Sequence, residues 1–179
     1  MTREVIAVNK PKELTEYGTP LSDEWNTKQN LADIVGEVDW DPFSNAKSLI
    51  RAKARGGLDN GIDGFDLKNW ESKKDVFVNG PFSRMPEVVD VIYRWYIMHS
   101  GMRRSSIVVH KADFSTAWCH RLHSFADRVY TPPKRMNFDS DRGNSCNFCS
   151  VVTVVGKTVY PVCEAFHLAG WRQLDIYKP

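Results

Sequence analysis

The chain has 179 residues, 42% hydrophobic, 12% aromatic and 26% charged, with a formal net charge of +2 at pH 7. That balance suits a globular protein with enough apolar material for a core and excludes low-complexity and fibrous classes. No run approaches the ~18 consecutive apolar residues that a bilayer span requires, so no membrane partner is expected.

The opening MTREVIAVNKPKEL has no apolar h-region and no small-residue cleavage site. An intracellular, reducing compartment, cytoplasmic or nuclear, is therefore expected, and in it cysteines are more readily metal ligands than disulfide partners. Charge is unevenly spread. Residues 1–44 carry four Lys/Arg against nine Asp/Glu, a net −5, residues 45–135 carry sixteen against nine, a net +7, and residues 136–179 carry four of each. An acidic arm followed by a basic middle suggests an anionic partner, although the two stretches could equally neutralise one another within the fold.

In chain order, residues 1–44 are polar and rich in turn formers, and they read as an acidic, loop-rich arm with one short amphipathic stretch from Thr27 to Val38. Ser44 is placed as the N-cap of a helix NAKSLIRAKAR that stops at Gly56-Gly57. On that helix Lys47, Arg51 and Arg55 recur every four residues as a basic stripe, with Lys53 beside it. GGLDNGIDGFDLKNW is a turn-rich loop and DVFVNG a short strand.

PEVVDVIYRWYIMHS is the strongest helix, with a broad apolar face. SSIVVH reads as a buried strand. A third helix is expected from Asp113 or Ser115 to the residues before Pro132-Pro133, followed by an irregular linker. The expected architecture is α+β: a mainly helical core with a few short strands. Its divisions are an arm (1–44), a basic helical core (45–135) and a C-terminal module (136–179) packed on that core.

The module holds the sharpest signal, CNFCSVVTVVGKTVYPVCEAFH, in which Cys146, Cys149, Cys163 and His167 are spaced C-x2-C-x13-C-x3-H. A C-x2-C pair bends two thiolates toward one point, SVVTVV and TVYPV flank Gly156-Lys157 as a hairpin, and Cys163 and His167 share a helix face. Four sulfur and nitrogen ligands in this order suit a closed tetrahedral Zn2+ site, which is structural because no position is left for water. Cys119, His120 and His123 in WCHRLH are alternative ligands; the competing reading of Cys119 is a buried thiol. The knuckle, hairpin and helix order resembles the treble-clef group of zinc fingers over the C-terminal ~35 residues. The resemblance implies Cys146 and Cys149 at the knuckle and Cys163 and His167 on the helix.

Nucleases of the HNH type build on a treble clef and place a catalytic His on the hairpin, and the hairpin here has no His, Asp or Glu. Neither a phosphate-binding GxxxxGK[ST] nor a GxGxxG fingerprint occurs, so no small-molecule cofactor is expected. The residues favour a non-catalytic, structural-zinc factor, regulatory or nucleic-acid-binding, and a virus- or phage-encoded regulator fits that description. Its candidate phosphate contacts are Lys47, Arg51, Lys53, Arg55, Arg103, Arg104, Lys134 and Arg135. The alternative is a module that docks on a partner protein without touching nucleic acid; a nuclease stands behind both.

Overall fold

A computed structural model describes residues 26–98, 103–136, 148–156 and 160–176. Their strands form one sheet: β1 (Glu37–Asp41), β2 (Arg51–Arg55), β3 (Asp75–Val78), β4 (Ser105–Lys111), β5 (Arg128–Thr131), β6 (Ser150–Val155) and β7 (Arg172–Leu174). The strand order is β2-β1-β3-β4-β6-β5-β7. β1 to β4 run parallel to one another, and β6 is antiparallel to both β4 and β5. β5 therefore runs in the same direction as β4, and β7 closes the far edge antiparallel to β5.

Helices cover both faces. α1 (Gln29–Val35) and α4 (Tyr160–Leu168) touch each other on one side, and α2 (Met85–Met98) and α3 (Ala117–Phe125) touch on the other. Leu31, Val35, Phe77, Ile107, Val109, Tyr130, Val152, Val154 and Phe166 pack under the first pair. Trp70, Val76, Val78, Val88, Ile92, Trp95, Val108, Leu122 and Val155 pack under the second. Alternate residues of β3 and β4 thus feed opposite cores. This explains why SVVTVV and SSIVVH read as continuous apolar runs rather than alternating ones: strands covered on both faces have no polar side. Each fully buried Val or Ile among them contributes roughly 1.5–3 kcal/mol through burial.

The fold is a three-layer α/β arrangement around a mixed sheet, which corrects the expectation of a mainly helical α+β core. The clearest departure is RAKAR. Ala, Arg and Lys are good helix formers, yet these residues pair in parallel with β1, Glu37 opposite Arg51 and Asp41 opposite Arg55. The same five letters also alternate with period two, and long-range pairing decides between two locally tolerable periods. Similarly, the helix expected to continue to the prolines stops at Phe125, and Arg128–Thr131 turns into β5.

The treble-clef reading is corrected as well. β6 is no hairpin arm; it lies between β4 and β5 as an interior strand. Tyr160 and Pro161, expected in a second hairpin strand, open α4 instead, and a proline in the first turn of a helix loses no hydrogen bond. Sheet strands draw on all three stretches divided by charge: β1 from the acidic arm, β2 to β5 from the basic middle, β6 and β7 from the C-terminal part.

Candidate functional site

In an open α/β sheet the carboxyl ends of the parallel strands form one edge. Where neighbouring strands send their chains to opposite sides, the connections part and leave a crevice. Here the chain leaves β1 for β2 on one side and reaches β3 on the other, so the parting lies between β1 and β3. The two strands pair at Trp40 and Val76. The edge beyond them is built from the turn after β1, Asp41-Pro42-Phe43-Ser44, and the turn after β3, Asn79-Gly80-Pro81-Phe82.

The first turn is held from within. Asp41 is buried, and its carboxylate accepts from Ser48 Oγ at 3.0 Å. The Asp41 carbonyl accepts from Gly56 N–H at 2.9 Å, and the Gly56 carbonyl accepts from Ser44 N–H at 2.9 Å. Burial pushes the Asp41 carboxyl up to about 6, with Ser48 and the nearby Arg55 charge pulling the other way. Gly64 packs so closely that a Cβ there would stand 2.1 Å from the Pro42 carbonyl oxygen.

The second turn meets the first through Gly80, whose missing Cβ makes room for the Phe43 ring; an added one would stand 3.2 Å from Phe43 Cδ2 and 2.8 Å from Val88 Cγ2. Asn79 Nδ2 donates to Thr27 Oγ1 at 3.1 Å, so the segment before α1 sets the orientation of this amide. Thr27 is itself buried. The Pro81 carbonyl accepts from Arg84 N–H at 2.9 Å, opening the 3-10 turn that leads into α2. The Gly80 carbonyl, one residue earlier, is not consumed by that turn. The Asn79 amide oxygen and the Gly80 carbonyl thus place two acceptors on consecutive residues.

Aromatic rings line this edge. Phe43 and Phe65 lie 4.8 Å apart, with the Arg84 guanidinium 3.9 Å over Phe65. Phe82 meets Phe148 edge to face at 4.9 Å, and Lys111, at the end of β4, holds Nζ 5.5 Å and 4.8 Å from those two ring centres. The two turns thus pack on one another through Gly80 and the Phe43 ring, over the buried Asp41 carboxyl and beside further aromatic rings.

The residues singled out from sequence are scattered around this frame. Lys47 lies in the β1–β2 turn, and Lys134 and Arg135 follow β5, so these three, all exposed, share the carboxyl edge. Arg51 opens β2, and Arg103 and Arg104 precede β4, at the opposite edge. Arg104 is buried, its guanidinium 5.1 Å from the Trp95 ring centre and donating to the Glu71 carbonyl, which is a packing role. Lys53 pairs with Asp39 at 3.0 Å and Glu37 at 3.6 Å. Arg55 Nη2 donates to the Ile50 carbonyl at 2.7 Å. The expected helical stripe is therefore split between a strand edge and local bonds.

Of the cysteine set, Cys146 lies outside the described residues. Cys149 is exposed just before β6, at the carboxyl edge, and its carbonyl accepts from Ala112 N–H at 2.9 Å. Cys163 and His167 share a face of α4, as their spacing implies, and converge on Tyr130: His167 Nε2 lies 3.4 Å from Tyr130 Oη. Burial, and then a hydrogen bond with Cys163, raises the Tyr130 phenol. These two residues line a groove of about 530 Å³ with Arg128, Pro161, Glu164 and Leu168, at the opposite edge from the two turns. Among the described residues no three His, Cys, Asp or Glu side chains converge as metal ligands would.

Two of the alternative ligands, Cys119 and His123, join a hydrogen-bonded file beneath α3. His110 Nε2 lies 2.7 Å from Thr153 Oγ1, which lies 3.4 Å from His123 Nε2, and Cys119 Sγ stands 3.8 Å from the same nitrogen. Burial pushes the Cys119 thiol up to about 11 and the His110 imidazole down to about 4, and it lowers His123 also. A thiol held protonated in this way is a poor nucleophile at neutral pH. His120 is exposed on α3.

Asn79, Gly80, Pro81 and Thr27 were not among the sequence candidates. The available signal was Asn-Gly-Pro-Phe placed between a strand and a helix, a position where α/β sheets put ligands. It is readable only once β3 is known to lie inside a parallel sheet. Compared with known proteins, the chain matches no family model, no curated protein and no solved structure.

Proposed function

We propose that the crevice between β1 and β3 takes nucleotide-class ligands and that the protein modifies the exocyclic amine of a nucleobase, most simply by methyl transfer. The observation that carries this reading is the Asn79-Gly80-Pro81-Phe82 turn at the point where the strand connections part, with its amide oriented by Thr27. Enzymes that act on a base read it through hydrogen bonds to its edge and stack it between apolar rings. The Asn79 amide oxygen and the Gly80 carbonyl would offer an amino group two neighbouring acceptors, with the Phe43 ring against Gly80.

An aromatic amine is a poor nucleophile because its lone pair is shared with the ring. Two acceptors that bind both N–H groups favour the pyramidal geometry in which that pair is available, and neutral acceptors do so without a strong base. A sulfonium donor such as S-adenosylmethionine supplies an activated methyl group when bound, and the Asp41–Ser44 turn, across the parting from Asn79, would hold the nucleoside part of such a molecule. In the transfer a nitrogen–carbon bond forms, the carbon–sulfur bond breaks with its electrons leaving on sulfur, and the amine then gives one proton to solvent. This reading retains the nucleic-acid partner expected from the basic residues and adds a reaction.

The test is direct. The full chain is titrated calorimetrically with S-adenosylmethionine, then incubated with it and an adenine- and cytosine-containing single-stranded oligonucleotide. The nucleosides are afterwards analysed by mass spectrometry. An N-methylated base that disappears in Asn79→Ala is the expected result. Oligonucleotide binding without donor binding or modification would replace the proposal by a non-catalytic nucleic-acid-binding role.

A further inference from the structure

We infer that Asn26 is a further positioning residue: together with Thr27 it clasps the turn after β1 to the turn after β3, and so fixes the spacing between methyl donor and base. The inference rests on the crevice reading above and adds a residue that touches neither ligand.

Asn26 and Thr27 are consecutive, yet each is bonded to a different turn. Asn45, the residue after the Asp41–Ser44 turn, donates through Nδ2 to Asn26 Oδ1 at 2.7 Å. Asn79, the first residue of the second turn, donates through Nδ2 to Thr27 Oγ1 at 3.1 Å. The two side chains therefore straddle the parting. Among the described residues the β1–β3 ladder has one paired position, Trp40 with Val76, whereas β3 and β4 share four. Backbone pairing does less here than elsewhere in the sheet to hold one turn against the other. Beyond the packing of Gly80 on Phe43, the clasp supplies that constraint.

Both ends of the clasp are anchored. The Asn45 amide is held from two sides, because its Oδ1 accepts from Lys47 N–H at 2.9 Å while Nδ2 serves Asn26. The Asn45 carbonyl accepts from Ser48 N–H at 3.0 Å, and Ser48 Oγ donates to the Asp41 carboxylate at 3.0 Å. A displacement at Asn26 is thus passed on to the first turn. On the other side, the Lys28 carbonyl accepts from Leu31 and Ala32 N–H at 3.1 Å and opens α1, whose Leu31, Ala32 and Val35 are buried. The clasp is rooted in a core helix.

Methyl transfer needs the amine in line with the carbon–sulfur bond, and a misplacement of about 1 Å costs up to ~100-fold in rate even when each ligand still binds. A residue that sets the spacing of two half-sites is therefore felt in kcat rather than in KM.

The experiment compares Asn26→Ala, Asn26→Asp, Thr27→Val and the Asn26→Ala/Thr27→Val double variant with the parent protein. Gln29→Ala, which removes a bond to Asp33 on the exposed side of α1, is the control. Thermal midpoints check that each variant is folded. The readouts are kcat and KM with S-adenosylmethionine and the single-stranded oligonucleotide, and amide hydrogen exchange over residues 41–48 and 79–84. Asn26→Ala is expected to lower kcat about ten-fold and to change each KM by less than about two-fold. Asn26→Asp keeps the acceptor oxygen and should restore the rate. Because cutting either end opens the clasp, the double variant should be no slower than the slower single one. Each single variant should also quicken exchange in the turn it does not itself bond, 79–84 for Asn26→Ala and 41–48 for Thr27→Val. Multiplying kcat losses, or exchange that quickens only in the turn whose own bond was cut, overturn the inference. A parent that methylates no base overturns the crevice reading instead, and the exchange pattern then still decides whether Asn26 and Thr27 join the turns.

Discussion

Asn79 Nδ2 donates to Thr27 Oγ1 across 3.1 Å, tying the turn after β3 to a residue two positions before α1 and 52 positions away in the chain. The bond makes Thr27 a positioning residue: it touches the amide and not the ligand that the amide would receive. Thr27→Val keeps the shape and removes the acceptor. The expected outcome is a fall in kcat of about ten-fold with little change in KM for the methyl donor, and a stability loss of about 1 kcal/mol. Thr27→Ser should restore the rate; equal losses in kcat for Val and Ser would assign Thr27 a packing role only.

His110, on β4, is completely buried against Thr153 of β6 and the rings of Trp118 and His123 on α3, and burial holds its imidazole at about 4 against an ordinary 6.5. A folded value below the unfolded one means that the neutral ring contributes stability above pH 6.5, and that this is lost as pH falls toward 4. The difference corresponds to roughly 3 kcal/mol. Urea midpoints measured from pH 7 to pH 4 should fall over this window, and His110→Gln, which cannot titrate, should flatten that part of the curve.

Asp41 works in the opposite direction. Burial lifts its carboxyl from 3.8 to about 6, so its stabilising protonated form is fully present below pH 3.8 and is lost as pH rises through 6. Asp41→Asn can still accept from Ser48 and carries no charge. At pH 7 it is expected to raise the urea midpoint, by up to roughly 3 kcal/mol in unfolding free energy. A midpoint unchanged or lowered at pH 7 would show that the Arg55 charge and the turn hydrogen bonds outweigh burial.

Gly80→Ala places a methyl group 2.8 Å from Val88 Cγ2 and against the Phe43 ring. One side chain or the turn must give way, at a cost of typically 1–3 kcal/mol. Because Phe43 also flanks the crevice, affinity for S-adenosylmethionine should fall together with stability. Gly36→Ala serves as the control: a Cβ there meets no atom within 4 Å, so its effect on stability is backbone strain at φ 74° alone and ligand affinity should be unaffected.

Thiol reactivity separates the described cysteines. Cys149 is exposed, whereas Cys119 and Cys163 are buried, and burial keeps the Cys119 thiol protonated to about pH 11. Mapping by mass spectrometry after brief maleimide treatment should show Cys149 modified first, with Cys119 reacting only after unfolding in urea. Fast labelling of Cys119 in the folded protein would contradict the file of contacts under α3.

By itself the sequence determined where strongly apolar, single-pattern segments lie. PEVVDVIYRWYIM is helical, and DVFV, SSIVVH and SVVTVV are strands, because each run has one period or one length that suits it. It also located the Cys163/His167 helix face, since four residues span about one turn. It did not determine what RAKAR, RVYT or YPV would become. Their local preferences are weak or doubled, and pairing with β1, pairing with β6 and packing on the first core settled them. The same holds for the candidate site. Four polar and aromatic letters after a strand have no meaning until the strand has neighbours, and only the sheet order brings Asn79 to Thr27 and Lys111 to Phe82 and Phe148. Long-range strand pairing is where the chemistry was assembled, because a parallel sheet collects its carboxyl ends from segments far apart in the chain.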